Sequence, residues 1–311
     1  MKKNWKSRLA ALGLAALSAC SPQPKDNPIQ GRVTIAADES LQPVIESIRR
    51  AYEGIYPDTK FDTLYRPEQQ AVAAMLRDSA RLVFATRELN ASEVAVLAKE
   101  KIKVRTQVIA TDAIALIVGK NNTDSLITMP ELSGLFQGTI TSWSQLKGSN
   151  QSGPVVLVFD NSNSSNLNFM LQKFGVQDVS KLRLYAVNSN RAVIDYVRTN
   201  PTALGFIGVN WISDGDEPLT RELSKDLRVM GVATKAVPSA ISEYKQPFQA
   251  NLAMQVYPLR RKVYVHSREV HSGLGGGLMT YIMRGEGSLL IEKSGLWPSV
   301  PYNRQVILNK N

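Results

Sequence analysis

Short apolar runs alternate along this chain with segments of helical periodicity. Val33–Ala37, Lys60–Tyr65 and Arg81–Ala85 are rich in apolar residues and predict strands. Val44–Tyr56 repeats its apolar side chains at helical spacing and ends before Pro57, and Glu68–Ser79 follows the same pattern. This strand–helix alternation favours a mostly parallel sheet with helices on both faces.

The second half of the chain repeats this style. Val155–Phe159 and Ala203–Val209 predict buried strands, and Leu167–Phe174 and Arg191–Thr199 predict helices. Further predicted strands are Val104–Ala110 and Ala113–Val118, separated by a break at Thr111–Asp112, together with Leu182–Val187, Leu227–Val232 and Arg261–His266. Two α/β units of ordinary domain size fit this order of elements.

The first twenty residues follow a different pattern. Four basic residues precede the apolar run Leu9–Leu17, which is followed by Leu17-Ser18-Ala19-Cys20. A basic start, a short apolar run and small residues before a cleavage point are typical of a secretory signal. The end resembles the lipobox of bacterial lipoproteins, in which the cysteine is lipidated. Residues 1–20 are therefore predicted to be a signal peptide, with lipid on Cys20, and the Pro-rich residues 21–31 to be a tether.

Composition narrows the classes of function. The chain has 311 residues, 37 of them basic and 27 acidic; the leader holds four of the basic ones, so the remaining 33 give a formal charge of +6. No basic block with interleaved aromatics is present, which argues against nucleic acid as a partner. Cys20 is the only cysteine and there are two histidines, so we expect no disulfide, no metal site and no cofactor.

Three polar loops lie where predicted strands lead into helices. They are Asp38–Leu41, Thr86–Leu89 and Asp160–Asn166, and the last holds seven small polar residues in a row. Open α/β sheets bind ligands at this edge, and the first turn of a helix offers unpaired N–H groups to an anion. Helix capping explains each loop singly. Together the loops favour a ligand cleft.

The order of these loops resembles the phosphate-binding-protein-like group of ABC-importer substrate-binding proteins, the type II periplasmic binding fold. The most specific motif is Phe136–Trp143 (FQGTITSW), which follows Met129 at the family's spacing. Ala203–Gly208 and the ending Gly285–Pro298 are also similar to family segments, and the likeness covers about residues 31–308. The resemblance implies a two-lobed α/β fold, each lobe a mostly parallel sheet with helices on both faces, with a hinge between the lobes.

The resemblance also implies the binding residues. Asp160 stands where the family carries its phosphate-pairing arginine, and Thr86 stands where it carries an aspartate. Arg87 could restore the missing positive charge, or it could pair with Asp160 across the cleft and leave no anion site. The expected ligand-binding residues are Ser40, Leu41 (through its backbone), Thr86, Arg87, Thr141, Asp160, Ser164, Ser165 and Asn166.

We therefore expect a lipid-anchored protein on the periplasmic or outer side of a bacterial membrane. It would be a monomer that captures a small ligand, by resemblance phosphate or a related anion, and delivers it to an ABC permease. Lobe 1 is predicted to comprise residues 32–115 and 236–311, and lobe 2 residues 116–235, with crossings near 111–115 and 234–239.

Two other functions remain open. The chain could be an envelope interaction or sensor protein that kept the fold without binding phosphate. It could also be a hydrolase using His266 or His271, although it lacks the G-x-S-x-G motif of a nucleophile elbow. The basic triplet Arg260-Arg261-Lys262 is interpreted as solvated surface, and the Gly-rich Gly273–Gly277 as a flexible helix entry.

Overall fold

A computed structural model describes residues 26–302; the predicted signal peptide and Cys20 lie outside these residues. Its strands are β1 (Gly31–Asp38), β2 (Thr59–Arg66), β3 (Leu82–Ala85), β4 (Arg105–Gly119), β5 (Leu126–Thr128), β6 (Val156–Phe159), β7 (Leu184–Ala186), β8 (Ala203–Gly208), β9 (Leu227–Val229), β10 (Gly231–Ala233), β11 (Arg260–Ser267) and β12 (Trp297–Pro298). Its α-helices are α1 (Gln42–Ile55), α2 (Glu68–Leu76), α3 (Ala91–Lys99), α4 (Met129–Gln137), α5 (Ser165–Lys173), α6 (Asn190–Thr199), α7 (Asn210–Ser213), α8 (Pro218–Leu223), α9 (Gln249–Ala253), α10 (Leu274–Ile282) and α11 (Gly285–Lys293).

The main sheet has the strand order β2-β1-β3-β11-β4-β8-β6-β7. Pairing is parallel within β2-β1-β3 and within β8-β6-β7, as predicted, whereas β11 and β4 run antiparallel to their neighbours. We call β1, β2, β3 and β11, with the part of β4 that pairs with β11, lobe 1. Lobe 2 is β6, β7 and β8 with the remainder of β4, and each helix belongs to the lobe whose strands it follows in the chain.

Strand β4 belongs to both lobes. Residues 105–113 pair with β11, and residues 114–119 pair with β8 and β9. The predicted break at Thr111–Asp112 is wrong, because the strand runs without interruption from Arg105 to Gly119. Asp112 is polar for a different reason: it lies directly opposite Arg261 in the β4–β11 register. A buried charge needs a partner of opposite sign, and the neighbouring strand supplies it.

The predicted strand Leu227–Val232 is two strands. β9 ends at Val229 and pairs with β4, whereas β10 begins at Gly231 and forms a separate two-stranded parallel sheet with β5. Met230 between them is fully buried. The apolar run Leu227–Val232 does not reveal that its two halves pair with different strands, because apolar side chains are favoured in both.

Aromatic side chains pack beneath the loops of lobe 2. The rings of Phe159 and Phe206 stack with centroids 4.4 Å apart, and Phe136 meets Phe206 edge-on at 5.6 Å. Trp143 is fully buried, and its indole N–H donates to the carbonyl of Thr202 over 2.9 Å. Trp143 is therefore a core residue, the default expectation for a lone tryptophan.

The Gly-rich start of α10 is tightly packed, so its interpretation as a flexible helix entry is wrong. The N–H groups of Leu274 and Gly276 donate to the buried carboxylates of Asp26 and Glu269, at 2.7 and 2.6 Å. A Cβ on Gly277 would lie 2.7 Å from the carbonyl oxygen of Pro28. Glycine is thus required here for close approach, and the end of the predicted tether packs against this helix.

Close approach also explains Gly119 at the end of β4, where a Cβ would clash with the carbonyl oxygen of Val197 in α6. We expect Gly119→Ala to lower the free energy of unfolding by about 1–3 kcal/mol, because backbone must move to admit the methyl group. Gly54→Ala in α1 is the matched control, since nothing lies within 4 Å of its Cβ position. It should raise stability by about 0.5–1 kcal/mol. Urea unfolding measures both, and equal effects would contradict this explanation of Gly119.

Candidate functional site

Two serines from opposite lobes meet at one buried arginine. Ser40 lies in the 3-10 turn Glu39–Leu41 after β1, and Ser165 is the first residue of α5 in lobe 2. Their hydroxyl oxygens are 3.3 Å apart, and each accepts a hydrogen bond from the guanidinium of Arg261 over 3.0 Å. We call Ser40, Ser165, Arg261, Asp38 and Asp112 the cleft cluster.

Arg261 is held rigidly in this position. It extends from β11, only 5 % of it is exposed, and its Nε donates to Asp112 Oδ2 over 2.9 Å. The interpretation of the basic triplet as solvated surface is therefore wrong for Arg261. Because Asp112 is also fully buried, the two charges form an ion pair inside the protein. In the sequence, the one indication of this ion pair is that Asp112 lies between two apolar runs. Arg261 was not among the predicted binding residues.

Asp38 occupies the position between the two serines. Its Oδ2 accepts from Ser40 Oγ over 2.6 Å and from Ser165 Oγ through a short hydrogen bond. Burial, followed by the charge of Glu68, raises the pKa of Asp38 to about 7. Its second oxygen, Oδ1, is buried without a hydrogen-bond partner.

Further carboxyl groups surround the cluster. Glu39 binds the start of α6, where Asn190 Nδ2 donates to it over 2.5 Å, and burial raises the pKa of Glu39 to about 8. Asp160 accepts from Asn166 over 3.2 Å, and burial raises its pKa to about 6. With Asp38, these residues place three carboxyl groups near the guanidinium of Arg261. Neutral, protonated carboxyl groups are favoured because a low-dielectric site penalises the charged form.

The predicted residues fall into two groups. The structure brings Ser40, Asp160, Ser164, Ser165 and Asn166 together, with Ser164 capping α5 by accepting from the N–H of Leu167 over 3.0 Å. The carbonyl oxygen of Ser40 accepts hydrogen bonds from Asn210 Nδ2 at 2.9 Å and from Trp211 Nε1 at 3.1 Å. Lobe 2 therefore also binds the backbone of the 3-10 turn that contains Ser40. The Leu41 side chain is buried in the core.

The other predicted residues, Thr86, Arg87 and Thr141, make no hydrogen bond or ion pair with the cleft cluster among residues 26–302. Thr86 donates to Glu68 through both its N–H and its hydroxyl, and Arg87 pairs with Glu68 at 3.3 Å and Glu93 at 2.8 Å. Within residues 26–302 the ion-pair partners of Arg87 thus belong to lobe 1, and it is not paired with Asp160. Thr141 is exposed, and its N–H donates to Gln145 over 2.8 Å.

The histidines are placed apart from the cleft cluster. His266 is buried, and its ring nitrogens contact Thr106 Oγ1 at 2.9 Å and the Arg87 carbonyl at 3.1 Å. His271 lies with Asp26 and Glu269 in a group whose ligand atoms are within 4.8 Å of one another. Both carboxylates bind Arg81, at 2.6 and 3.4 Å, and also cap α10. Glu269 also lies 3.4 Å from Arg105 Nη2, so two arginines offset the charges of the two carboxylates.

Known proteins share parts of this sequence. A family model described as the PBP superfamily domain matches residues 22–286. The phosphate-binding protein PstS 2 of Streptococcus agalactiae is 31 % identical over 116 residues, which are 37 % of this chain and 38 % of the relative. The PstS 2 of Streptococcus pneumoniae is 25 % identical over 119 residues, which are 38 % of each chain. The chain thus aligns with little more than a third of the length of these relatives.

Solved structures share the fold across most of the chain. A Clostridium perfringens protein assigned as a phosphate ABC transporter substrate-binding protein, solved with bound phosphate, has a TM-score of 0.70 at 19 % identity and covers 86 % of this chain and 99 % of its own. An ABC-type phosphate transport receptor from Vibrio cholerae has a TM-score of 0.61 at 18 % identity, covering 85 % and 99 %. The predicted two-lobed fold and its family resemblance are confirmed, and the chain belongs to the PBP superfamily.

Proposed function

We propose that this protein is an extracytoplasmic solute-binding protein that captures a small oxyanion between its lobes and delivers it to an ABC importer. The observation that carries the proposal is the convergence of Ser40 and Ser165, one from each lobe, on the guanidinium of Arg261. Hydroxyl and guanidinium donors suit an oxyanion, and a ligand that touches both lobes stabilises their closed arrangement. The names of the relatives favour phosphate.

The proposal includes the predicted anchoring and lobes. Lipid on Cys20 would tether a monomeric domain to the membrane, and no helix within residues 26–302 is long and apolar enough to span a bilayer. Lobe boundaries at 32–115 with 236–311 and at 116–235 are supported by the change of partners along β4 near residue 114. A binding rather than catalytic role is supported by His266, whose two ring nitrogens are used in structural contacts.

Buried acceptor oxygens around the cleft cluster favour an oxyanion that carries protons. Asp38 Oδ1, Asp112 Oδ1, Asn166 Oδ1 and Asn210 Oδ1 are buried without hydrogen-bond partners. Leaving such atoms unpaired is costly, so a ligand that brings its own donors is favoured. Phosphate carries protons near neutral pH, whereas sulfate carries none. We therefore assign to Asp38 the role of accepting a proton-bearing oxygen of the ligand, since the hydroxyl of Thr86, which stands where the family carries an aspartate, donates to Glu68.

The position of the Asp38 carboxyl group between the two serines also supports a second candidate function. Asp38 already accepts from both serine hydroxyls, as a bound oxyanion would. A protein that uses this internal contact to keep its lobes closed would be an envelope interaction or sensor protein without a phosphate ligand. Failure of phosphate and other oxyanions to bind the purified protein would select this alternative.

The two serine hydroxyls are expected to carry affinity. Ser40→Ala and Ser165→Ala should each weaken phosphate binding about tenfold or more, because each removes a donor to a charged ligand. Ser162→Ala is the matched control: it lies in the same loop as Ser165 but is exposed, and it should bind as the wild type does. Isothermal titration calorimetry gives the affinities. Equal loss in all three variants would exclude a specific site at the cleft cluster.

Asp38 is expected to control discrimination between oxyanions. At pH 8, where the Asp38 carboxyl group is mostly ionised, the wild type should bind phosphate more tightly than sulfate, whose oxygens would face the carboxylate without a proton between them. Asp38→Asn should reduce the preference by about tenfold or more, since the amide removes the charge and can donate. Competition titrations with the two anions measure the ratio. An unchanged ratio in the variant would contradict this role.

Stability of the ligand-free protein should fall as pH rises. The folded-state pKa values of Asp38, Asp160 and Glu39, about 7, 6 and 8, lie above the usual values of 3.8, 3.8 and 4.5. The folded state therefore binds more protons than the unfolded state between about pH 4 and 8, and the free energy of unfolding decreases through that window.

Urea unfolding at pH 5.5 and pH 8 measures this slope. Asp38→Asn should make it shallower, because one of the three groups no longer titrates. Asp216→Asn is the control, since its side chain is 85 % exposed, and it should leave the slope unchanged. Stability that rises from pH 5.5 to 8 would overturn the assignment of buried, protonated carboxyl groups.

A further inference from the structure

A pocket with several charged side chains opens where the two lobes join. It has a volume of about 820 Å³, within the range of small-molecule sites. Its walls come from the end of α5, the segment after β10 and the start of β11. We call it the junction pocket and define it by the side chains that carry charge there: Lys173, Lys235, Lys245, Arg260 and Glu243.

The charges in this pocket do not balance. Four of the charged lining residues are basic, and Glu243 is the one carboxylate among the described residues that line it. Glu243 lies 3.0 Å from the ammonium group of Lys235, which leaves three cations to be compensated. The pKa of Lys173 is lowered by burial and then by the charge of Arg260. Lys173 and Arg260 therefore repel each other across the pocket.

The pocket has a fixed frame. Arg260 is the first residue of β11, and its Nη1 donates to the carbonyl of Tyr257 over 3.0 Å. Lys173 ends α5, and its ammonium group lies 5.7 Å from the centre of the Phe169 ring. Both cations are thus attached to regular elements rather than to a free loop. Pre-positioned cations lower the entropic cost of binding an anion.

The junction pocket is separate from the cleft cluster. Arg260 and Arg261 are neighbours on β11, and successive side chains of a strand point to opposite faces of the sheet. Arg261 extends into the cleft, so Arg260 extends to the other side, and the two sites share no lining residue. A ligand in the junction pocket would not compete directly with one at Ser40 and Ser165.

We propose that the junction pocket is a second anion site, for a molecule that carries several phosphate groups. A pocket with three uncompensated cations matches a multiply charged ligand better than a single small oxyanion. The excess of basic side chains does not suit a cationic molecule. The phosphate groups can belong to a soluble polyphosphate or to the headgroups of anionic lipids, and the experiment separates these two sources.

Tripolyphosphate is the probe for the soluble source. Calorimetry of the purified protein in about 150 mM salt, which screens diffuse surface attraction, should show one saturable site. Lys173→Gln/Arg260→Gln should weaken binding about tenfold or more. Arg77→Gln/Lys225→Gln removes the same charge at exposed positions outside the pocket and should bind as the wild type does. Ser165→Ala should also leave tripolyphosphate binding intact, which separates this test from that of the cleft.

Vesicles of phosphatidylglycerol, with phosphatidylcholine vesicles as the reference, test the lipid source. Co-sedimentation that is specific for phosphatidylglycerol and lost in Lys173→Gln/Arg260→Gln assigns the phosphates to lipid. If that variant fails to fold by circular dichroism, Lys245→Gln, which removes another of the three uncompensated cations, replaces it. Absence of saturable binding to both probes, or equal weakening in the Arg77→Gln/Lys225→Gln control, overturns the proposal.

Discussion

The buried ion pair between Arg261 and Asp112 is the constraint on which the centre of this molecule depends. It joins adjacent strands of the sheet at the point where β4 passes from one lobe to the other. Removing one partner of such a pair costs about 3–5 kcal/mol, because the other charge is left buried alone. The guanidinium is therefore fixed before any ligand arrives, and Ser40 and Ser165 close onto it from opposite sides.

The same pair lies among carboxyl groups, which bears on the proposed binding of an anion. Asp112 uses one oxygen to orient Arg261, while burial raises the pKa values of Asp38, Asp160 and Glu39 to about 7, 6 and 8. Protonated carboxyl groups donate hydrogen bonds, and ionised ones accept from a protonated ligand. In the proposed binding function, selectivity would come from matching protons as much as from charge. The same raised pKa values underlie the predicted pH dependence of stability.

The polar loop Asp160–Asn166 shows how closely spaced residues of one kind take different roles. Ser164 caps α5, Ser165 binds Arg261 and Asp38, and Asn166 contacts Asp160 and Asn190. Helix capping and a place in the cleft are therefore not alternatives in this loop, because adjacent residues at one helix start do both. Helix α5 likewise contributes to both sites: its first residue, Ser165, belongs to the cleft cluster, and its last residue, Lys173, lines the junction pocket.

Local sequence was sufficient for the strand–helix alternation, the loops at the sheet edge and the family, because periodicity and turn residues act over short distances. It could not show which arginine enters the cleft. Arg87 is adjacent to Thr86 and was an obvious choice, yet it pairs with Glu68 and Glu93. Arg261 is 221 positions from Ser40 and reaches it only because β11 pairs with β4 in one register. Strand register over such separations depends on the packing of the whole sheet, and for that reason the cation of the cleft could be assigned only from the folded chain.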